Sequence, residues 1–494
     1  MAKSGSLNIL PDERASGSSC SVGAPKINTH GDAYVPESGF QGNVAFVTLG
    51  CAKNMVDSEV MLGVLQKKGF HPIDELKEAD LIVVNTCAFL ESAVKEGIDT
   101  ILEVARYKEE GRCRKLIVAG CLVERYRGQL QEELPEVDTF ISTDELLKVA
   151  DENHPLNETF NEARRPYFLY DDTVPRIVST ERHTAYVKIA EGCDRPCAFC
   201  IIPKIRGAFR SREKDSVVRE VTGLLDQNVK EINFIAQDLT AYGTDFKGNR
   251  GIKGELPSLV QDVIDANRER DFWLRLYYAY PVGVNEELIG LIRDTPQVCN
   301  YLDLPLQHIS NSVLKSMRRP LGEKGTRGLI DSIRIMAPSI HLRTTFVVGF
   351  PGETEEDVDA LEAYIREGHF THVGIFTYSN EKEAFAFDFP NQVDQKVKDA
   401  RRDRLMIAQR ETLHNRFKGL IGTKGRALFE GFHPESDLLY KARFEWQGPD
   451  ADGITLINDI EGYEDSDLES LVGKFVNIEV TDVAEYDLVA TLVK

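Results

Sequence analysis

Cys193, Cys197 and Cys200 stand within the stretch TAYVKIAEGCDRPCAFCIIPKIRG, spaced CxxxCxxC. Thiolates crowded in this way bind a soft metal. Structural zinc takes four ligands, commonly from paired CxxC spacings. Here there are three, and His183 precedes the first by ten residues, beyond any usual local spacing. Three thiolates on a cubane iron–sulfur cluster leave one iron without a protein ligand, and an open iron can bind and reduce a substrate. The spacing therefore points to a catalytic cluster rather than a structural metal.

A second trio is scattered along the chain. Cys51, Cys87 and Cys121 each close an apolar run: NVAFVTLG, LIVVNT and KLIVAG. If those runs are neighbouring parallel strands, their C-terminal ends share one edge of the sheet, where such folds place their sites. Each cysteine alone is as well explained as a small buried hydrophobe. Recurrence at the same structural position three times argues instead for a shared ligand set. Cys113 and Cys299 lack this placement and are expected to be structural.

The elements that must position these thiols follow from the hydrophobic pattern. Residues 1–42 hold 16 Gly, Ser or Pro, show no sustained periodicity and are expected to form a disordered tail, with Cys20 a bystander. Residues 43–150 alternate apolar strands with helical stretches, which predicts a parallel α/β sheet domain covered on both faces. A polar, Pro-containing connection follows at 151–182. Six further strands alternating with helices over 183–418 predict a partial (βα)6 TIM-like barrel, with the CxxxCxxC loop after its first strand, on the rim where barrels do chemistry. Short strands and turns over 419–494 predict a five-stranded antiparallel β-barrel. The fold class is α/β.

At 494 residues the chain is too long for one core. Its 42% hydrophobic and 28% charged composition is ordinary for a globular protein. A net charge of −21 argues against a general nucleic-acid binder, which needs surplus Lys and Arg. No run is long enough to span a bilayer and no signal-peptide order opens the chain, so a cytoplasmic protein with reduced cysteines is expected, without membrane partners. No GxGxxG follows the first strand, where Cys51 stands instead, so a dinucleotide-dependent dehydrogenase lacks support.

The CxxxCxxC loop after a first barrel strand resembles the radical S-adenosylmethionine enzymes. The three-cysteine first domain and the small terminal barrel, which is TRAM-like, make the chain resemble one branch of them, the methylthiotransferases, from about Asn43 to the end. TLGCAKNMVDSE, VNTCAFLESA, AGCLVERY, VKIAEGCDRPCAFCIIPKIRG and LDLPLQHISNSVLKSMRR resemble the type that modifies a ribosomal protein more than the type that modifies transfer RNA. The latter tends toward GCQMN in its first motif and EGCNxxCTFCxVPYxRG around the cluster loop. One departure stands at Asn380–Phe387, NEKEAFAF, where the family usually has an EGT triplet.

The resemblance implies two 4Fe-4S clusters, one on Cys193, Cys197 and Cys200 and an auxiliary one on Cys51, Cys87 and Cys121. It implies S-adenosyl-L-methionine as cofactor, a reductant such as flavodoxin or ferredoxin, and as substrate the β-carbon of an aspartate in the small-subunit ribosomal protein S-twelve. From Gly419 onward there are 6 Lys plus Arg against 16 Asp plus Glu, a net of −10, which suits a basic protein and repels phosphate, so no direct nucleic-acid substrate is expected. At strand ends, Gln237, Gly349, Pro351 and Gly352 are candidate S-adenosylmethionine contacts, with Asp238 beside them. Arg343 is a candidate partner of the cofactor carboxylate. Gln307 and His308 fit a structural pair equally well. Two alternatives remain: a methylthiotransferase acting on a transfer-RNA adenosine, and a non-catalytic iron–sulfur redox protein.

Overall fold

Continuous apolar runs such as LIVVNT have no polar face to offer solvent, so each must be covered on both sides. The computed structural model describes residues 39, 41–151, 168–247 and 254–494. The expected tail, with Cys20, lies outside the described residues apart from its last few positions, as does much of the expected connection at 151–182. The described chain falls into two compact units: residues up to Thr180 together with Ile201–Ala208, and Glu181–Cys200 together with Phe209–Lys494.

In the first unit, β1 (Gly42–Thr48), β2 (Phe70–Pro72), β3 (Leu81–Thr86), β4 (Lys115–Gly120) and β5 (Thr139–Ile141) form one sheet in the order β2-β1-β3-β4-β5, all parallel. The register runs Val47↔Val84 and Val84↔Val118, so the ends of β1, β3 and β4 lie side by side. Helices α1 (Ala52–Lys67), α2 (Glu91–Ala105) and α3 (Cys121–Glu133) alternate with the strands. One core gathers Val44, Phe46, Val83, Ile117 and Ile141 from the sheet with Met61 and Leu65 of α1. Ile177, from the stretch expected to be connection, is buried in that core. Arg176 is ion-paired to Glu59 at 2.6 Å beside it.

The second unit opens with six parallel strands: β6 (Thr184–Lys188), β7 (Glu231–Ile235), β8 (Trp273–Leu276), β9 (Tyr301–Asp303), β10 (His341–Val348) and β11 (His372–Thr377). They pair as β8-β7-β6 and β9-β10-β11. The two triplets meet where Cys299 N–H donates to Leu274 O at 2.9 Å and Ala279 N–H to Asp303 O at 2.9 Å. The result is an open arc in chain order, the partial (βα)6 barrel that the βα repeat predicts. Helices α4 (Lys214–Asp226), α5 (Leu256–Ala266), α6 (Glu286–Asp294), α7 (Glu323–Met336), α8 (Glu355–Arg366) and α9 (Gln395–Lys418) accompany the strands. Local chemistry sets their starts. Asn285 accepts from Leu288 N–H at α6, and Thr354 with Asp357 makes a reciprocal cap at α8.

The terminal module is a closed five-stranded barrel of β12 (Lys424–His433), β13 (Ser436–Phe444), β14 (Thr455–Ile460), β15 (Phe475–Ala484) and β16 (Asp487–Val493), in the order β12-β13-β14-β16-β15. Its ladders are antiparallel except β14 with β16, which is parallel because a helical turn and β15 intervene between them. The module packs at the N-terminal ends of the arc strands. Arg443 reaches Glu231, the first residue of β7, at 2.5 Å; His183, just before β6, meets Glu430 at 3.2 Å; and the Tyr301 hydroxyl donates to Asp452 at 2.8 Å. No helix among the described residues is long and apolar enough to cross a membrane.

Candidate functional site

The first-unit thiols are presented by two glycines that no other residue replaces. Gly50 and Gly120 have φ of +98° and +95°, a region L side chains avoid. A Cβ on Gly50 would come within 2.7 Å of the Cys87 Cβ, and one on Gly120 within 2.2 Å of Asn85 Oδ1. Each strand therefore turns sharply into its helix and leaves Cys51 and Cys121 at the helix starts. Cys87 follows β3 directly. Cys51 is exposed, Cys87 half-buried and Cys121 buried.

The three thiols sense one another's charge. Burial, then the charge of Cys51, pushes the Cys87 thiol up to about 11. Burial pushes Cys121 up to about 12, against the pull of Arg206, and Cys87 and Cys51 add to the rise. As bare thiols Cys87 and Cys121 hold their protons at neutral pH, and a soft metal that displaces those protons is what such a group accepts. Among the described residues no three Cys, His, Asp or Glu gather closely enough for a single ion. A cubane, which spreads its thiolates over separate irons, suits the trio better.

A polar floor lies beneath them. The Asn54 amide donates to Leu49 O at 2.9 Å and Thr86 O at 3.1 Å, and Asn85 donates to Asn54 O at 2.8 Å. Arg206 pairs with Asp57 at 2.6 Å and donates to Asn54 Oδ1. Reading the sequence did not single out Asn54, Asp57 or Arg206. The available signal was the set of polar residues Asn54, Asp57, Ser58 and Glu59 in the first turns of a helix between two apolar strands.

In the second unit the cysteine loop follows β6. Cys193 is buried, and burial pushes its thiol up to about 11 although the Arg195 amide donates to its sulfur at 3.4 Å. Arg319 donates to the Cys197 sulfur at 3.6 Å. The loop backbone is pinned on both sides: Ala198 N–H donates to Met317 O at 3.0 Å, and Ala386 N–H to Ala198 O at 2.9 Å. Ala198, Met317, Ala386, Phe350 and Tyr378 share one buried cluster. The departing segment Asn380–Phe387 thus braces the cysteine loop.

The other sequence candidates fall into separate groups. Gln237 donates to Glu191 Oε1, and Asp238 accepts from Arg195 Nε at 2.7 Å. Gly349 N–H donates to Glu353 Oε2 at 2.7 Å; Pro351 is buried, and the exposed Gly352 donates to Asn391 O at 3.0 Å. His308 is fully buried, accepts at Nδ1 from Ser310 N–H at 3.0 Å, and turns Nε2 toward Glu353 Oε2 at 3.8 Å. Gln307 has φ of +75° and bridges to Phe346. Arg343 stands apart. It sits near the start of β10, six positions and so about 20 Å of strand before Gly349, and pairs with Asp303 at 3.0 Å and Asp452 at 3.3 Å.

An open arc of six parallel strands with three cysteines on the loop after the first is the architecture of a radical S-adenosylmethionine enzyme, and residues 187–365 match that superfamily. Residues 43–142 match the uncharacterized protein family UPF0004 and 421–493 the TRAM domain. The fold is similar to that of a cobalamin-dependent S-adenosylmethionine radical enzyme, OxsB, with TM-score 0.50 at 12% identity, covering 76% of this chain and 56% of that one. Over 449 residues the chain is 45% identical to the ribosomal protein uS12 methylthiotransferase RimO of Solibacter usitatus, covering 91% of this chain and 94% of that protein. The RimO of Geobacter sulfurreducens is 43% identical, with 91% and 98% covered, and that of Myxococcus xanthus 41%, with 91% of each. The chain belongs to the RimO family of methylthiotransferases.

Proposed function

We propose that this chain methylthiolates the β-carbon of an aspartate in ribosomal protein uS12, in the cytoplasm, drawing electrons from a small reductant such as flavodoxin or ferredoxin. The observation that carries this reading is relatedness above 40% along more than nine-tenths of the chain to RimO proteins, with all six motif cysteines beyond the C-terminal ends of strands.

The β-hydrogens of an aspartate are not usefully acidic, because the adjacent group is already an anion, so no side-chain base of ordinary pKa removes one as a proton. When bound, S-adenosylmethionine and the 4Fe-4S clusters supply hydrogen-atom abstraction and the methylthio group. Cys193, Cys197 and Cys200 would hold the first cluster, and Cys51, Cys87 and Cys121 the second. Loading the clusters would release the protons that burial keeps on Cys87, Cys121 and Cys193. Arg319 stabilises the Cys197 thiolate by a charge-assisted hydrogen bond. The pinned backbone at Ala198 keeps the loop from rearranging when the thiols ionise. Gly349, Pro351 and Gly352 form a turn, held by Glu353 at Gly349 and by Asn391 at Gly352, whose backbone a nucleoside can approach; Gln237 ends a different strand and is bound to Glu191. Arg343 would reach the cofactor only by leaving its two carboxylates.

The acidic terminal module favours a basic protein over transfer RNA. Mass spectrometry of uS12 from cells with and without this chain tests the reading, together with purified enzyme offered uS12 and transfer RNA in parallel. Added mass on one uS12 aspartate only when the chain is present is the expected result; modification of an adenosine instead would assign the rival substrate.

A further inference from the structure

The cysteine loop carries a cation whose hydrogen-bonding capacity is mostly unused. Arg195, between Cys193 and Cys197, gives its Nε to Asp238 at 2.7 Å and lies over the Tyr280 ring at 4.3 Å from its centroid. Arg319 stacks on the same ring at 4.2 Å. Carboxylate and ring together fix the plane of the Arg195 guanidinium, yet its side chain is still 33% exposed. Among the described residues neither of its η-nitrogens has a hydrogen-bond partner. Four other basic groups of this unit are committed: Arg319 to Cys197 and Pro305 O, Arg343 to Asp303 and Asp452, Lys398 to Tyr378 O, and Arg401 to Glu353 and Glu355.

Arg195 also lines a cavity of about 240 Å³ with Thr240, Thr244, Val282, Asn285 and Leu288, beyond the C-terminal ends of β7 and β8. An oriented guanidinium with two parallel donors free is the fork that grips a carboxylate bidentately. We propose that Arg195 is the carboxylate-binding residue of the reaction site and that it takes the side chain of the substrate aspartate into this cavity.

The inference rests on the function proposed above and names the residue that selects the substrate. The carbon to be modified is bonded directly to the carboxylate carbon, so gripping the carboxylate fixes the reacting carbon to within one bond. An aspartate entering this half-buried place also needs a counter-charge. Arg195, oriented by Asp238 and Tyr280 beside the cysteines, supplies that counter-charge. Asparagine at the target position would present one donor group to a cation and lose the fork.

The test is a binding cycle with full-length, reconstituted protein. Affinities are measured for uS12 and for uS12 carrying Asn at the target aspartate, with wild type, R195Q and R195K, alongside S-adenosylmethionine affinity and thermal melting. Wild type is expected to prefer the aspartate form by roughly 10- to 100-fold, the range of hydrogen bonds to charged groups. R195Q is expected to bind both forms alike, with S-adenosylmethionine affinity within about twofold, and R195K, which keeps charge without the fork, to fall between. If R195Q weakens S-adenosylmethionine while the preference for aspartate persists, the carboxylate bound is the cofactor's and the substrate assignment is overturned. If neither changes, Arg195 binds no carboxylate. A wild-type protein that does not recognise uS12 at all would instead remove the functional reading beneath the proposal.

Discussion

Arg206 is buried between Asp57 and Asn54, and its charge is felt at both Cys87 and Cys121. Removing it together with its counter-ion separates charge from fold, because R206Q alone takes the guanidinium away from a buried carboxylate. The double variant R206Q/D57N is expected to load less iron on the first trio. Total iron should fall from about eight toward four per chain, two cubanes toward one, while 5′-deoxyadenosine formation continues; iron and nucleoside analysis of reconstituted protein checks both. The cysteines themselves were legible in the sequence because each closes an apolar run and strand ends share an edge. Arg206 was not, because its partners lie some 150 positions away and nothing local distinguishes it from a surface arginine. Arg195 was visible inside the motif, but what it faces depends on Asp238 and Tyr280, which only folding brings beside it.

Strands β7, β8 and β13 each contribute one residue to a buried ionic cluster. Glu231 accepts from Arg275 at 2.7 Å and from Arg443 at 2.5 Å, and Arg443 also pairs with Glu430 at 2.8 Å. Burial would raise the Glu231 carboxyl, but the Arg443 and Arg275 guanidinium groups outweigh it and hold the group at about 2, below its ordinary 4.5. A carboxylate with a depressed folded-state pKa contributes stability that is present above its unfolded value and lost as pH falls through the folded one. Thermal stability should therefore decline between about pH 4.5 and 2. E231Q should cost about 3–5 kcal/mol at pH 7 by leaving two buried guanidinium groups short of a partner, and much less near pH 2. Melting curves across that range check the sign. The alternation of strands and helices was readable from hydrophobic period alone. This cluster was not, since Glu, Arg and Arg on short strands read as solvated positions until the module is seen to cover the strand starts.

Across the second unit, the module sits at the N-terminal strand ends while the cysteine loop is at the C-terminal rim. A five- to eight-residue strand spans roughly 17–26 Å, so a substrate that touches both ends must be macromolecular. Deleting residues 424–494 would strip the arc strands of the buried partners Arg443, Glu430 and Asp452. The truncated chain should lose its cooperative melt and its 5′-deoxyadenosine activity together, whereas charge-neutralising substitutions on exposed acidic residues such as Glu461 and Glu469 should weaken uS12 binding with melting unchanged. The first unit carries a different lesson. Ile201–Ala208 belongs to it although Glu181–Cys200 does not, so its polypeptide is discontinuous. On a translating ribosome the Asp57–Arg206 ion pair cannot close until Arg206 has cleared the exit tunnel, and β6 must emerge before the unit that precedes it in the gene can finish folding. Any split, fusion or recombination point placed between residues 180 and 208 would sever that late-arriving piece.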